Sequence, residues 1–386
     1  MSSSFFSPQL LPLHAAMREI AATVAAPRAD EVDEKKVWPA HTFGALADAK
    51  LLGLHVPEDL GGHGLGLVAL ASLTEILGQA CSSSAICYGM HCVGSAVIAA
   101  KPTAHHRERY LAPIAAGQHI TTLSLSEPGS GVHFFLPSTE LIGAGDHYLL
   151  RGLKHFVTNG SHVDSYVVST LASDASHGEF SCILVDQKTP GMRWSGEWNG
   201  LGMRGNSSIT MNLEDARVPR QNLLGEEGDQ IWYVFEVIAP YFLTAMAGTY
   251  AGIAQAAIDY TLNHLRARTY TTGDAPLANA EVLQHRIGKL WSRLEAARQL
   301  MYAAAYAGDS GDPGAMPFIL SSKAEVSDVA VEIVNEAMTL CGGVAYRENS
   351  VLSRLLRDVR ASHVMAPPTD LLRLWTGRAL LGQPLL

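Results

Sequence analysis

Apolar residues recur with helical spacing over 39–52 and 67–77, and Gly and Pro punctuate the gaps around them. The stretch from about 9 to 118 therefore reads as an all-helical unit. Within it, Val56-Pro57-Glu58-Asp59-Leu60-Gly61-Gly62 has the residues of a turn, and 91–100 is a small-residue run suited to a close-packed helix. From His119 to about Leu224 the pattern changes to short β-prone runs at 119–125, 147–150, 165–170, 180–185 and 209–213. From Asp229 onward the helical period returns over 230–268, 280–307, 317–341 and 350–365, with a final helix to about Leu381. The pattern predicts an α+β chain in three parts: an N-terminal helical domain at 1–118, a central β domain at 119–225 and a C-terminal helical bundle at 226–386.

A helical, β, helical order excludes a doubly wound sheet, in which strands and helices alternate. The glycine clusters are read in that light. Gly61-Gly62-His63-Gly64-Leu65-Gly66 falls between helices and Gly143-Ala144-Gly145 in an expected hairpin, so both read as turns and neither as a dinucleotide fingerprint.

Composition narrows the function classes. The 386 residues suffice for two or three packed units. A net charge of -9 argues against a nucleic-acid surface, which needs clustered Lys and Arg. Cys81, Cys87, Cys92, Cys182 and Cys341 fit no zinc or dithiol spacing, so reduced thiols in a cytoplasmic protein are expected. Pro8 and Pro12 interrupt the apolar residues Phe5, Phe6, Leu10, Leu11 and Leu13 with no basic region before them, which does not suit a signal peptide. No 18-residue apolar stretch stands out, and no membrane span is expected. His105 and His106 are adjacent, and no His-x-x-x-His pair has an acid nearby, so no metal is expected.

Several motifs carry candidate chemistry. Leu123-Ser124-Leu125-Ser126-Glu127-Pro128-Gly129-Ser130-Gly131 is followed by Gly152-Leu153-Lys154-His155-Phe156-Val157-Thr158-Asn159-Gly160, which Asp164 and Tyr166-Val167-Val168 continue into a strand. Then come Gly200-Leu201-Gly202-Met203-Arg204-Gly205-Asn206-Ser207-Ser208, Leu213-Glu214-Asp215 before Val218-Pro219, Cys341-Gly342-Gly343 and Arg357-Asp358. In this order they resemble the signatures of the acyl-CoA dehydrogenase family, over roughly residues 15–380. The resemblance implies a homodimer or homotetramer with FAD between the β domain and the bundle. A flavin needs an apolar wall and several hydrogen-bond donors. By resemblance, Leu123, Leu125 and Ser126 face its pyrimidine edge, Phe156 lies against the ring and Thr158 reaches the reactive nitrogen. Gly131, with Val132 beside it, approaches the diphosphate, and Arg268 supplies a guanidinium there. Gln284, Gly342 and Gly343 sit where the family contacts the dinucleotide, often across a subunit boundary. Standing alone, Phe156 would read as a core aromatic, Thr158-Asn159-Gly160 as a turn and Arg268 as a solvated helix residue. Their ordered recurrence favours the cofactor.

The pattern breaks at the base. Family dehydrogenases remove an α-proton with a glutamate placed eight residues after the Arg-Asp motif, and here that position is Ala366, followed by Pro367-Pro368. The alternative family seat, on the helix before Ala247-Gly248-Thr249, is Phe242. Pro240 and Leu243 replace the acid and arginine that grip the pantetheine arm, and Val132-His133 replaces Ser-Asp. Tyr270-Thr271-Thr272 and Thr339 also depart from the family. Asp370 and His133 are the candidate relocated bases, Asp370 having a competing role as a first-turn helix acid and His133 as a merely hydrogen-bonded histidine. Glu236 and Tyr241 are weaker candidates. The expected activity is FAD-dependent desaturation of an acyl thioester, on coenzyme A or a carrier protein, with an electron-transfer flavoprotein as the possible partner. Its rivals are a flavin-dependent monooxygenase served by a flavin reductase, which needs no α-proton base, and a flavin-binding subunit without turnover.

Overall fold

The computed structural model describes residues 5–174, 176, 178–269 and 275–385. The departure expected at Tyr270-Thr271-Thr272 lies outside them. The N-terminal part contains α1 (Leu10–Ile20), α2 (Ala29–Glu34), α3 (Ala40–Asp48), α4 (Leu67–Ala80), α5 (Ser82–Ala100) and the short α6 (Ala104–His106) and α7 (Ala112–Ala115). Helices α4 and α5 are rich in small and apolar residues on every face, and nearly all of them are buried.

The central strands are β1 (Thr121–Ser124), β2 (Glu140–Ala144), β3 (His147–Val157), β4 (Ser165–Leu171), β5 (Phe180–Asp186), β6 (Met192–Ser195), β7 (Ile209–Pro219) and β8 (Leu223–Leu224). They form two four-stranded sheets, ordered β1-β4-β5-β8 and β2-β3-β7-β6. Only the β1-β4 pair among these is parallel. Leu150, Met211 and Ala216 of one sheet share a core with Tyr166, Val168 and Ile183 of the other. Strands β2 and β3 make the hairpin expected around Gly143-Ala144-Gly145, with Ala144 opposite His147.

The C-terminal part begins with α8 (Gln230–Trp232), a π-helical segment (Tyr233–Ile238) and α9 (Ala239–Ala267). It continues through α10 (Glu281–Asp309), α11 (Ala315–Cys341), α12 (Val351–Val359), α13 (Ala361–Val364) and α14 (Thr369–Leu380). The helix expected over 350–365 is thus broken at Arg360. Helices α4 and α9 approach closely because glycines lie at the crossing: a Cβ on Gly248 would stand 2.2 Å from Thr74 Oγ1, and one on Gly78 2.6 Å from the Thr249 carbonyl oxygen. The N- and C-terminal helices therefore share one core.

The absence of a long apolar stretch is corrected here. Ser82–Ala100 and Gln230–Ala267 are both long and apolar enough to cross a membrane, but 89% and 61% of their apolar windows are buried inside the fold. Packing against other helices accounts for their composition.

Candidate active site

A cavity of about 770 Å³ opens between the β domain and the C-terminal helices. Its walls come from the loop after β1, the end of β3, the 198–208 loop, α5, the 238–242 stretch and the segment 361–368.

Buried charge fixes the first wall. The Lys154 ammonium, on β3, donates to Glu127 Oε1 at 2.6 Å, to Ser169 Oγ at 2.9 Å and to the Leu125 carbonyl at 3.3 Å. Glu127 also accepts from the amides of Ser138 at 2.6 Å and Thr139 at 3.1 Å, and from both their hydroxyls. Burial opposes ionisation of Glu127, but the Lys154 charge and these donors outweigh it and hold the carboxyl at about 2. Lys154 has fewer partners, so burial brings its ammonium down to about 8 against the pull of Glu127. Both groups are ionised near neutral pH.

A register shift between Lys154 and Val157 marks a bulge in the β3-β7 pair, and Phe156 adopts φ 54° within it. The bulge turns the Phe156 ring outward, where it is 67% exposed and lines the cavity. Asn159, at φ 65°, is held by its amide donating to the Asn206 carbonyl at 2.9 Å, by its side chain donating to the Cys87 carbonyl at 2.9 Å and by Trp38 Nε1 donating to it at 2.8 Å. Met203 and Ser207 are left-handed too, at φ 48° and 50°. Non-glycine residues keep such angles where the surroundings over-determine them, and here they cluster at the cavity.

The Arg-Asp motif has a structural task at this wall. The buried Asp358 carboxylate accepts from the Met203 amide at 2.6 Å, while Arg357 donates to Asp33 at 2.9 Å and to the Leu201 carbonyl at 3.2 Å. The pair thus secures the 200–206 loop to α12 and α2. Sequence reasoning missed these anchoring roles, although a lysine at an inward position of a β-prone run is the signal that marks Lys154. It also missed His155, a half-buried residue of the cavity lining whose amide donates to the Ser126 carbonyl at 2.8 Å.

The residues proposed to face the cofactor fall into two groups. Leu123, Leu125, Ser126, Gly131 and Val132 line the cavity, as do Phe156 and Thr158, whose hydroxyl is hydrogen-bonded to that of Ser208 at 3.0 Å. Arg268, Gln284, Gly342 and Gly343 lie elsewhere, exposed at one end of the bundle where α9, α10 and α11 meet. Gln284 Nε2 donates to the Ala278 carbonyl at 2.9 Å, and Cys341 Sγ approaches Thr261 Oγ1 at 3.7 Å, joining these helix ends. One chain does not bring the two groups together.

Neither of the two expected bases, Asp370 and His133, lines the cavity. Asp370 sits in the first turn of α14 with its side chain 99% exposed toward Arg373, and it does not line the cavity. The Pro368 start directs this first-turn residue to solvent. His133 is exposed, turns its ring edge to Phe135 at 5.8 Å and is also outside the lining. Phe134, its neighbour, takes the inward position instead. Glu236 is exposed, and Tyr241 packs edge-on against His55 at 4.8 Å. Ala366 and Phe242, the two positions where a glutamate is expected by resemblance, do line the cavity and bring no carboxylate to it.

The residues present fit a flavin. An exposed aromatic ring, hydroxyls from Ser126 and Thr158, and apolar walls share the cavity. At Gly129 and Gly131, with φ 83° and 53°, a Cβ would meet nothing within 4 Å, so the backbone there borders open space. The fold and this cavity define the class: an FAD-dependent oxidoreductase with a β domain between helical parts. The descriptions "Acyl-CoA dehydrogenase, N-terminal domain", "middle domain" and "C-terminal domain" match residues 8–118, 122–216 and 243–381. The cyclohex-1-ene-1-carbonyl-CoA dehydrogenase of Geobacter metallireducens is 30% identical over 370 residues, covering 95% of this chain and 96% of that protein. Among solved structures, butyryl-CoA dehydrogenase from Megasphaera elsdenii superposes with a TM-score of 0.91 at 24% identity, covering 97% of this chain and 99% of that one. The FAD complex of PigA superposes with a TM-score of 0.86 at 20% identity, covering 98% of each chain. The chain belongs to the acyl-CoA dehydrogenase family.

Proposed function

We propose that the protein oxidises an acyl thioester, on coenzyme A or a carrier protein, at the bond between the α- and β-carbons. One observation carries this reading: a single cavity sets Ser126, Phe156 and Thr158 against an apolar wall that includes Phe242, Val364 and Ala366. A flat cofactor on the first group and an uncharged acyl chain on the second would share the space. A flavin held there would supply the two-electron acceptor for the β-hydrogen. The apolar wall orients the chain and excludes water. The α-proton passes to a side chain. Among the described lining residues, Glu127 is locked to Lys154, and His155 is the ionisable side chain left outside an ion pair. His155 takes the role of acceptor in this reading.

Pro240 and Leu243 are buried and offer the pantetheine arm no polar group, which supports weak binding of ordinary straight-chain acyl-CoA. Arg268, Gln284, Gly342 and Gly343 complete the dinucleotide site of a neighbouring copy in a dimer or tetramer. An electron-transfer flavoprotein would be the partner that takes up the electrons.

The absence of a carboxylate at Ala366 and Phe242 favours a second reading, in which a flavin reductase supplies reduced cofactor and oxygen is inserted into the substrate. Anaerobic flavin spectra with acyl thioesters, set against turnover with NADH and a flavin reductase in air, separate the two. Bleaching by a thioester supports dehydrogenation; oxygen-dependent product formation without such bleaching overturns it.

A further inference from the structure

Lys323, on α11, is 0% exposed, yet no part of it lines the cavity. Its ammonium donates to the carbonyl oxygens of Ser362 at 2.7 Å, Pro367 at 3.1 Å and Met365 at 3.4 Å. Three N–H donors meet three acceptors: one on α13, at Ser362, and two in the wall segment that joins α13 to α14, at Met365 and Pro367. That segment has few donors of its own. Pro367 and Pro368 lack an N–H, and the helical bond from the Met365 amide to the Ala361 carbonyl, at 2.9 Å, is not followed by another until the Leu372 amide donates to the Pro368 carbonyl at 3.1 Å. Met365, Ala366, Pro367 and Pro368 all line the cavity.

A methionine or leucine would fill the space of the lysine stem without a buried charge. Burial pulls the ammonium down to about 7, so holding a charge here is unfavourable unless its hydrogen bonds are used. Those bonds go to a wall that no strand ladder or long helix shapes.

We infer that Lys323 is a positioning residue: by holding the Ser362, Met365 and Pro367 carbonyls, it sets the wall that carries Ala366 and thereby where the acyl α-carbon lies. The geometry stands by itself, while the substrate named in it rests on the acyl-thioester reading. Lys323 acts through the backbone and does not touch the acyl chain.

The test uses full-length holoenzyme with Lys323→Met, which keeps the stem and removes the donors. FAD content should match the wild type, because the flavin-facing residues lie on other walls. Amide hydrogen exchange over 361–366 should quicken by about ten-fold or more, and the visible circular dichroism of the bound flavin should change. With butyryl-CoA and cyclohex-1-ene-1-carbonyl-CoA as probes, kcat should fall about 10- to 100-fold while KM moves less than about three-fold, the pattern of a misplaced reacting bond. A residue needed only for packing would lower thermal stability without that split. Lys323→Gln keeps an N–H donor group and should recover part of the loss; it also serves as the test variant should the methionine protein fail to fold. Wild-type exchange at 361–366, together with wild-type kcat in a folded variant, would overturn the inference. If neither probe reduces the wild-type flavin, the acyl reading fails, and the exchange and dichroism measurements still decide the role of Lys323.

Discussion

The Glu127 carboxylate and the Lys154 ammonium meet at 2.6 Å where neither side chain is more than 3% exposed, and their pairing ties the loop after β1 to strand β3. Leu125 and Ser126 approach the cavity from that loop, and His155 and Phe156 from that strand. Lys154→Met would leave a carboxylate buried without its counter-charge, a loss of about 3–5 kcal/mol. The variant should unfold at lower urea and release FAD on gel filtration. Replacing both partners, with Glu127→Gln and Lys154→Met together, should restore part of the stability. A Lys154→Met protein with the wild-type urea midpoint and flavin content would remove the pair from any role in shaping the site.

The same pair predicts an acid limit. Glu127 is held at about 2 against an ordinary 4.5, so its depressed pKa contributes stability that is fully present above about pH 4.5 and lost as the pH falls toward 2. The thermal midpoint of the wild type should therefore exceed that of Glu127→Gln by an amount that shrinks below about pH 4.5. A difference that stays constant from pH 6 to 3 would count against the assigned ionisation.

The helical, β, helical order was legible because each long segment keeps one period over many residues. The strands β2, β6 and β8 were not, since Gly143 interrupts the first and the others span Met192–Ser195 and Leu223–Leu224. Motif order identified the cavity residues around Ser126 and Phe156, but it carried no information on side-chain direction. Asp370 illustrates the difference: its sequence distance from Ala366 is short, yet the helix start after Pro368 points it to solvent. Lys323 was invisible for a related reason. Its partners are backbone carbonyls about forty residues away, and carbonyls leave no trace in residue type.

Phe242 gives a prediction about selectivity. It lines the cavity from α9, on the wall proposed to hold the acyl chain. Phe242→Ala should shift the ratio of kcat/KM for cyclohex-1-ene-1-carbonyl-CoA over butyryl-CoA by about ten-fold or more toward the bulkier thioester, the scale of one methylene or more in an apolar pocket. An unchanged ratio would mean that the acyl chain does not lie against this residue.

The identity of the proton acceptor is the sharpest point at issue, because Ala366 and Phe242 place no carboxylate at the cavity. Asp370→Asn should leave flavin content, thermal midpoint and turnover as in the wild type, since the Asp370 side chain is 99% exposed. His155→Gln keeps a polar side chain but removes the imidazole. It should slow thioester-driven flavin reduction by about 10²- to 10⁴-fold, the usual contribution of a general base, while FAD stays bound. Ala366→Glu is the complementary change: added to His155→Gln, a carboxylate at the family seat should return part of the rate if Pro367-Pro368 lets it face the α-carbon. Failure to rescue would reflect only that geometry, so the single variants decide. Full flavin reduction in His155→Gln would exclude His155 as acceptor, and loss of reduction in Asp370→Asn would show that the exposed carboxylate turns inward when substrate binds.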